Sequence, residues 1–420
     1  MSILIRNVLL DGKKKDVFIE GNIIKKIGEC IGDDYKADET IDGEGKAIIP
    51  SFVNAHTHAA MTLMRGYADD MQVMEWLQQK IWPLEGKLTE EDVYWGTKLA
   101  CLEMIKSGTT FFNDMYWHYH GTARAVEEMG IRAAVSAVFI DLFDENKAKE
   151  QIEHNKKLFE ETKKYSDRII FALGPHAIYT VSKESLIWAK KFADENGLLI
   201  HIHLSESKNE VDECIKKNSK RPVEYLDEIG FLGKNVITSH SIWLDDNEID
   251  ILAKNKVKVV HNPVSNMKLS SGVFPYNKIS EKLGKSNIAL GTDGCASNNN
   301  LDMFEEMKFA ALLQKLETND PSSMPAQEAF DMATVNGAKV FNLDCGEIKE
   351  GKLADLLLID LKNIGLLPRH NLISNLVYSA NGSCVDTTIC NGKILMQNRK
   401  VVGEEEILEK ANEIAMKLTK

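Results

Sequence analysis

No stretch of this 420-residue chain reaches the roughly 18 consecutive apolar residues that a membrane-spanning helix needs. Its first residues, Met1-Ser2-Ile3-Leu4-Ile5-Arg6-Asn7-Val8, are apolar only briefly and carry no cleavable signal pattern, so a cytoplasmic protein with no membrane partner is expected. Cysteine is scarce: the seven residues include no C-x-x-C pair, which excludes a disulfide framework and reads as reduced intracellular thiols. Positive charge is outweighed, with 51 Lys and Arg against 63 Asp and Glu and a net charge of -12. Nucleic-acid affinity rests largely on Lys and Arg neutralising phosphates, so a nucleic-acid partner is excluded and a small uncharged or cationic ligand fits better. Internal repeats and low-complexity tracts are missing as well. The nearest thing to one is the polar loop Ser297-Asn298-Asn299-Asn300.

What is present is apolar content, 44% of the chain, enough to bury a large core in two domains or in one barrel with an appendage. From residue 53 to about 345, short β-branched runs alternate with amphipathic stretches, the pattern of a parallel sheet covered by helices. The strand cores are residues 48–53, 109–113, 132–139, 169–173, 198–203, 236–240, 257–261 and 287–291. Between them Thr89-Glu90-Glu91-Asp92 reads as a capping box opening a helix that runs toward Ser107-Gly108, and Ser182 as the cap of another ending near Asn196-Gly197. Eight such units predict a TIM-type (β/α)8 barrel, whose active site gathers at the C-terminal strand ends. Both chain ends read instead as short strands, too few on either side to bury a face alone, so they are expected to pack as one small discontinuous β-sandwich. The expected division is 1–52 and 347–420 for that β-domain, including a charged C-terminal helix from Gly403, and 53–346 for the barrel.

Onto this frame fall the chemically informative residues. Asn54-Ala55-His56-Thr57-His58 follows the first strand, and strand alternation points His56 and His58 the same way, able to grip one metal ion. Further groups close later strands: His201-Ile202-His203-Leu204-Ser205-Glu206, Ser239-His240 and Gly291-Thr292-Asp293-Gly294. Of the eleven histidines, His56, His58, His176, His201, His203, His240 and His261 lie at or beside expected strand ends. Scatter does not produce that distribution, so it supports the fold and a metal site together.

The order H-x-H, H-x-x-E, S-H, T-D-G on an eight-strand pattern with split β-ends resembles the amidohydrolase superfamily. Three stretches narrow the likeness: Trp82-Pro83-Leu84-Glu85, Gly174-Pro175-His176-Ala177-Ile178-Tyr179-Thr180 and His261-Asn262-Pro263-Val264-Ser265-Asn266. With them the chain resembles the 5′-methylthioadenosine/S-adenosylhomocysteine deaminase family and, within it, the 5′-deoxyadenosine deaminases. The other nucleobase-deaminase signature, H-x-E with P-C-x-x-C, is absent.

The resemblance implies that His56, His58, His203 and Asp293 hold a metal, and three imidazoles with one carboxylate suit Zn²⁺ or, alternatively, Fe²⁺. Relatives with two metals bridge them by a modified lysine after the fourth strand. That strand here ends Leu173-Gly174-Pro175-His176, so one divalent ion is expected. Such an ion lowers the pKa of a water toward ~7. Glu206, three residues past His203, is placed to protonate a substrate ring nitrogen and shuttle the proton, the plain alternative being a solvated glutamate at a helix start. Asp293 is read as ligand and proton acceptor, or else as an N-cap aspartate. His240 is read as orienting the attacking oxygen and stabilising the tetrahedral intermediate by hydrogen bond, or else as a satisfied core histidine. By resemblance Glu85 takes the ribose hydroxyls and His176 donates to a purine nitrogen. His201 and His261 are expected either in the barrel interior or behind the metal donors, supporting them. Met61, Met64, Met71 and Met74, with Trp76 and Trp82, either wall an apolar pocket or form a helical core stripe.

The resulting expectation is a homo-oligomeric deaminase of adenosine-type nucleosides: 5′-deoxyadenosine, 5′-methylthioadenosine, adenosine, with S-adenosylhomocysteine as a further candidate. Two alternatives stand beside it. One is a deaminase or chlorohydrolase of a free base or another heterocycle of the guanine, cytosine or triazine type. The other is a non-catalytic binding protein on the same barrel.

Overall fold

Eight parallel strands succeed one another in chain order: Phe52–Thr57, Thr109–Tyr116, Arg132–Phe139, Ile169–Pro175, Leu199–Leu204, Val236–His240, Lys258–His261 and Ile288–Leu290. The structure, a computed structural model, describes residues 1–32, 35–71 and 73–420, leaving aside the side chains of 73 and 74. Nearly every barrel-strand residue is buried, as expected where helices cover one face of a parallel sheet and packed side chains fill the other. The first and last strands are brought together by side chain and backbone alike. Asp293 donates its N–H to the His56 carbonyl at 3.0 Å, and Thr292 and Asn54 exchange hydrogen bonds of 3.0 and 2.7 Å.

One expected strand divides. The run at 48–53 serves two sheets: Lys46–Pro50 pairs antiparallel with Leu356–Asp360, and the barrel begins only at Phe52, which pairs with Thr109. Ser51 marks the crossing, its hydroxyl 2.5 Å from that of Thr110. Apolar residues on both sides of Pro50-Ser51 hide the switch, because both sheets bury this chain.

Beyond the barrel, the two chain ends form a mixed sheet. Ser2–Leu10, Lys13–Glu20, Ile23–Gly28, Glu39–Asp42 and Lys46–Pro50 are joined by Leu356–Asp360, Val385–Cys390 and Lys393–Met396. Alternate residues from both ends, among them Ile3, Val17, Ile48, Leu356 and Ile389, share one apolar cluster that neither end could bury alone. The sheet is locked to the barrel by the buried Arg132–Asp355 ion pair at 2.8 Å. A second lock is Gly108, whose φ of 94° ends the Glu90–Ser107 helix and whose missing Cβ leaves room for Leu357; a Cβ there would stand 2.5 Å from Leu357 Cδ1. The Thr89 capping box and the Ser182 cap form as expected, the latter opening Lys183–Asn196. Glu404–Leu418, the last helix, packs against Glu90–Ser107. No described helix is long and apolar enough to cross a membrane.

Candidate active site

Five strand ends contribute to one cavity: His58 follows the first strand, His176 the fourth, His203 and Glu206 come from the fifth, His240 from the sixth and Asp293 from the eighth. One donor atom from each of His56, His58 and His203 lies within 4.8 Å of the others, and the same holds for His56, His240 and Asp293. Nε2 of His56 and Nε2 of His58 each stand 3.3 Å from Asp293 Oδ1.

The far side of each imidazole is anchored. His58 Nδ1–H donates to the Met115 carbonyl at 2.6 Å and His203 Nδ1–H to the His176 carbonyl at 2.9 Å, which turns both Nε2 atoms toward the centre. His56 Nδ1 lies 2.8 Å from Nε2 of His201, whose ring is held by Asn113 and Ser239. Asp293 Oδ2 accepts from the Ser265 and Ser297 hydroxyls at 2.6 and 2.9 Å, and Oδ1 accepts the Gly294 N–H at 2.8 Å while facing the histidines.

These residues fit a divalent cation. His56 Nε2 is fully buried with no hydrogen-bond partner, an arrangement that costs free energy unless something coordinates the nitrogen. Burial lowers the His56 pKa to about 4 against the pull of Asp293 and keeps its lone pair available. The same burial acts on His58, but the Asp293 carboxylate overrides it and raises the pKa to about 9. Despite its own burial, Asp293 is held well below the usual carboxylate range by the two imidazoles. The site is thus built for positive charge: three nitrogens and one anionic oxygen, each oriented by a second group.

Around this centre, Glu206 Oε2 lies 3.9 Å from His240 Nε2, and Glu206 Oε1 accepts from the Ser271 hydroxyl at 3.4 Å. His240 Nδ1–H donates to Asn266 Oδ1 at 2.9 Å, aiming Nε2 inward. Ser205, His240 and Asp293 have φ of 49°, 70° and 60°, left-handed conformations that cost non-glycine residues about 1–3 kcal/mol and persist only where the surroundings enforce them. Glu85 and His176 line the same cavity. Burial raises the Glu85 carboxyl pKa, opposed by the charge of His58, and burial lowers His176 to about 3, so its imidazole is neutral.

The apolar wall comprises Met61, Trp76, Trp117, Ile140, Tyr179 and Leu269. Of the residues expected there, Met64 and Met71 pack in the cluster behind the cavity, and Trp82 remains 41% exposed at the start of its helix. The Met74 side chain lies outside the described residues. His261 is fully buried against Phe274, ring centroids 4.4 Å apart.

Sequence reading missed the residues that orient the site. Ser265 and Asn266 belong to the His261–Asn266 stretch that carries the resemblance but assigns them no role, and Ser297 belongs to a loop that reads only as polar. Glu210 has a sequence signal, Ser207-Lys208-Asn209-Glu210, the spacing of a capping box, yet its carboxyl reaches past the cap to the N–H groups of Ser205 and Glu206, both at 2.9 Å.

An eight-strand barrel with a histidine–aspartate donor group at its strand ends defines a metallo-hydrolase. The chain matches the amidohydrolase family over residues 47–395 and belongs to it. It is 51% identical to 5-methylthioadenosine/S-adenosylhomocysteine deaminase 1 of Archaeoglobus fulgidus, with 99% of each chain covered. It is 48% identical to the 5′-deoxyadenosine deaminase of Methanoregula boonei over all of this chain and 96% of that one. Among solved structures, an adenosine deaminase from Xanthomonas campestris with bound zinc superimposes with a TM-score of 0.92 at 32% identity, covering 99% of this chain and 98% of that one.

Proposed function

We propose that this protein is a hydrolytic deaminase of adenosine-type nucleosides, replacing the exocyclic amine of the purine by oxygen and releasing ammonia. The carrying observation is that His58, His203 and Asp293 open onto one cavity with an aromatic wall together with Glu206, His240 and Glu85, while the buried His56 completes the donor group. The names of the relatives support the same substrate class.

Within this reading His56, His58, His203 and Asp293 hold one divalent ion, taken as Zn²⁺ with Fe²⁺ as the alternative. The ion supplies Lewis-acid activation of water at neutral pH. Glu206 gives a proton to the ring nitrogen beside the amine-bearing carbon, so that attack does not build negative charge on the ring. Asp293 Oδ1 takes a proton from the attacking water and passes it to the exocyclic amine, so that the C–N bond breaks and ammonia leaves while the remaining hydroxyl proton returns to Glu206; His240 Nε2 steadies the oxygen at the tetrahedral carbon. A carboxylate at Glu85 accepts two hydrogen bonds from the ribose hydroxyls. His176, neutral and held at Nδ1 within 2.9 Å of the Thr180 hydroxyl, presents Nε2 to the purine. Trp76, Trp117 and Tyr179 exclude water around the reacting carbon. We extend the proposal to a cytoplasmic homo-oligomer, supported by seven free cysteines and by the resemblance; light scattering gives the assembly state.

Ammonia release measured across purine and pyrimidine nucleosides and free bases tests the substrate class. The expected result is turnover confined to adenosine-type nucleosides. Better turnover of guanine, cytosine or a triazine overturns it in favour of the free-base reading.

A further inference from the structure

Glu210 is 6% exposed and sits in the first turn of the helix Lys208–Asn218, whose N-cap, Ser207, accepts the Glu210 N–H at 3.2 Å. In a capping box the carboxylate at this position would return to the N–H of the cap itself. Here it reaches further back, and each carboxylate oxygen takes one backbone donor: Oε1 the N–H of Ser205 and Oε2 the N–H of Glu206, both at 2.9 Å. From the other side, the Ser205 carbonyl accepts the N–H groups of Ile242 and Trp243, each at 3.0 Å. Three of these four bonds end on Ser205, the residue forced to a φ of 49°, and the fourth on the N–H of Glu206. A left-handed serine between a strand and a helix turns the chain sharply, and the next residue, Glu206, thereby faces the cavity with its carboxyl 3.9 Å from His240.

We propose that Glu210 is a positioning residue for catalysis: its carboxylate clamps the Ser205–Glu206 turn and so fixes where the Glu206 carboxyl meets the substrate ring. The proposal rests on the reading of Glu206 as the proton-transfer group. Glu210 touches neither substrate nor metal donors, so its effect passes through Glu206. Replacing one carboxylate oxygen by an amide leaves one of the two N–H groups facing another donor, and the turn relaxes away from its left-handed geometry. Misplacement of a reacting group by about 1 Å costs on the order of a hundredfold in rate.

A double-mutant cycle of Glu210→Gln and Glu206→Gln, read as kcat and KM on 5′-deoxyadenosine with metal content and Tm measured in parallel, tests this. In the wild-type background Glu210→Gln is expected to lower kcat by about tenfold to a hundredfold, with KM and metal content changed by less than about twofold. In the Glu206→Gln background the same substitution is expected to cost less than about threefold, because the group it positions is already gone. Equal losses in both backgrounds, or loss of metal, overturn the proposal by making Glu210 a general structural residue, and an unchanged kcat overturns it outright. Should Glu206→Gln alone retain full activity, the proton-transfer reading fails, and that single variant reveals it separately. Glu210→Asp, which keeps the charge but shortens the reach, carries the cycle if the glutamine variant does not fold. Failure of both variants to fold overturns the proposal.

Discussion

Asp293 donates its backbone N–H to the carbonyl of His56 at 3.0 Å, while its carboxylate Oδ1 stands 3.3 Å from Nε2 of the same histidine. The contact that draws the last barrel strand to the first is therefore also the contact that assembles the donor group. A residue at φ 60° that joins the barrel and carries the only carboxylate among the four proposed ligands ties fold to chemistry: anything that slides one strand end also pulls the group apart.

The donor set leads to the first prediction, one tightly held divalent ion per chain. No lysine lies among the described residues lining the cavity, so the modified-lysine bridge of two-metal relatives has no counterpart there. Chelation is expected to abolish turnover, and Zn²⁺ or Fe²⁺ to restore it, with elemental analysis counting the metal. Two tightly held ions per chain, or full activity in a verified metal-free sample, would count against the four assigned donors.

How much of this was legible in the sequence follows from what each feature depends on. The barrel and the donor group were readable because both repeat: apolar runs at a regular spacing, and histidines recurring where those runs end. The switch of sheets at Ser51 was not, since an apolar β-branched run looks the same whichever sheet buries it. Trp82 serves neither the cavity wall nor the core stripe that its spacing allows, because helical spacing does not say which apolar face looks inward. The groups that orient the site, Asn266 behind His240 and Glu210 behind Glu206, are polar residues on loops or first helical turns. Asn266 meets His240 from another segment, a contact no local pattern announces, while the capping-box spacing at Glu210 points to the cap and not to the two N–H groups before it that the carboxylate takes.

Glu206→Gln is the second prediction. Its carboxyl is the described carboxylate nearest His240 within the cavity, and glutamine preserves size while removing the transferable proton. The variant is expected to keep its metal and its Tm, to bind substrate with little change in KM, and to lose ~10²- to 10⁴-fold in kcat. Near wild-type kcat would show that the ring proton comes from another group.

The third prediction concerns stability and pH at Asp302. This residue caps the helix Met303–Thr318 through the Phe304 N–H at 3.0 Å and accepts the Gly382 N–H at 2.9 Å. Burial nevertheless dominates those two donors and raises its pKa from 3.8 to about 6. Below 3.8 the group is protonated folded or unfolded and costs nothing. As pH rises toward 6 the unfolded chain ionises first, so stability is lost across that window, by at most about 3 kcal/mol. Asp302→Asn cannot ionise. The difference in unfolding free energy between the two proteins is expected to move in favour of the asparagine variant between about pH 4 and pH 6.5, whatever constant offset its lost acceptor introduces. Urea unfolding of both across that range measures it, and a difference that does not vary with pH refutes the assignment.

The fourth prediction is that the 5′ end of the nucleoside is read as small and neutral. A site that favours the homocysteine carboxylate of S-adenosylhomocysteine needs a cation to meet it, most effectively a guanidinium fork. No lysine or arginine lies among the described residues lining the cavity, and the third strand delivers Val138 and Ile140 to the wall instead. The loop that follows adds Leu142 and Phe143, both exposed, while the Asp141 carboxylate is spent on the N–H and hydroxyl of Ser182. Of the lysines beside this loop, which include Lys147 and Lys149, Lys217 sits over the Phe143 ring with Nζ 3.4 Å from its centroid, and none lines the cavity. Without a charge-assisted partner the carboxylate forgoes about 1.5–3 kcal/mol, so kcat/KM for S-adenosylhomocysteine is expected to fall about tenfold to a hundredfold below that for 5′-deoxyadenosine, with 5′-methylthioadenosine and adenosine near the latter. Free adenine, which offers Glu85 no ribose hydroxyls, is expected to be the poorest of the set, and Glu85→Gln to narrow the gap between adenine and the nucleosides by weakening the latter. S-Adenosylhomocysteine emerging as the best substrate would sink the argument about the 5′ end, and equal turnover of adenine would remove the role given to Glu85.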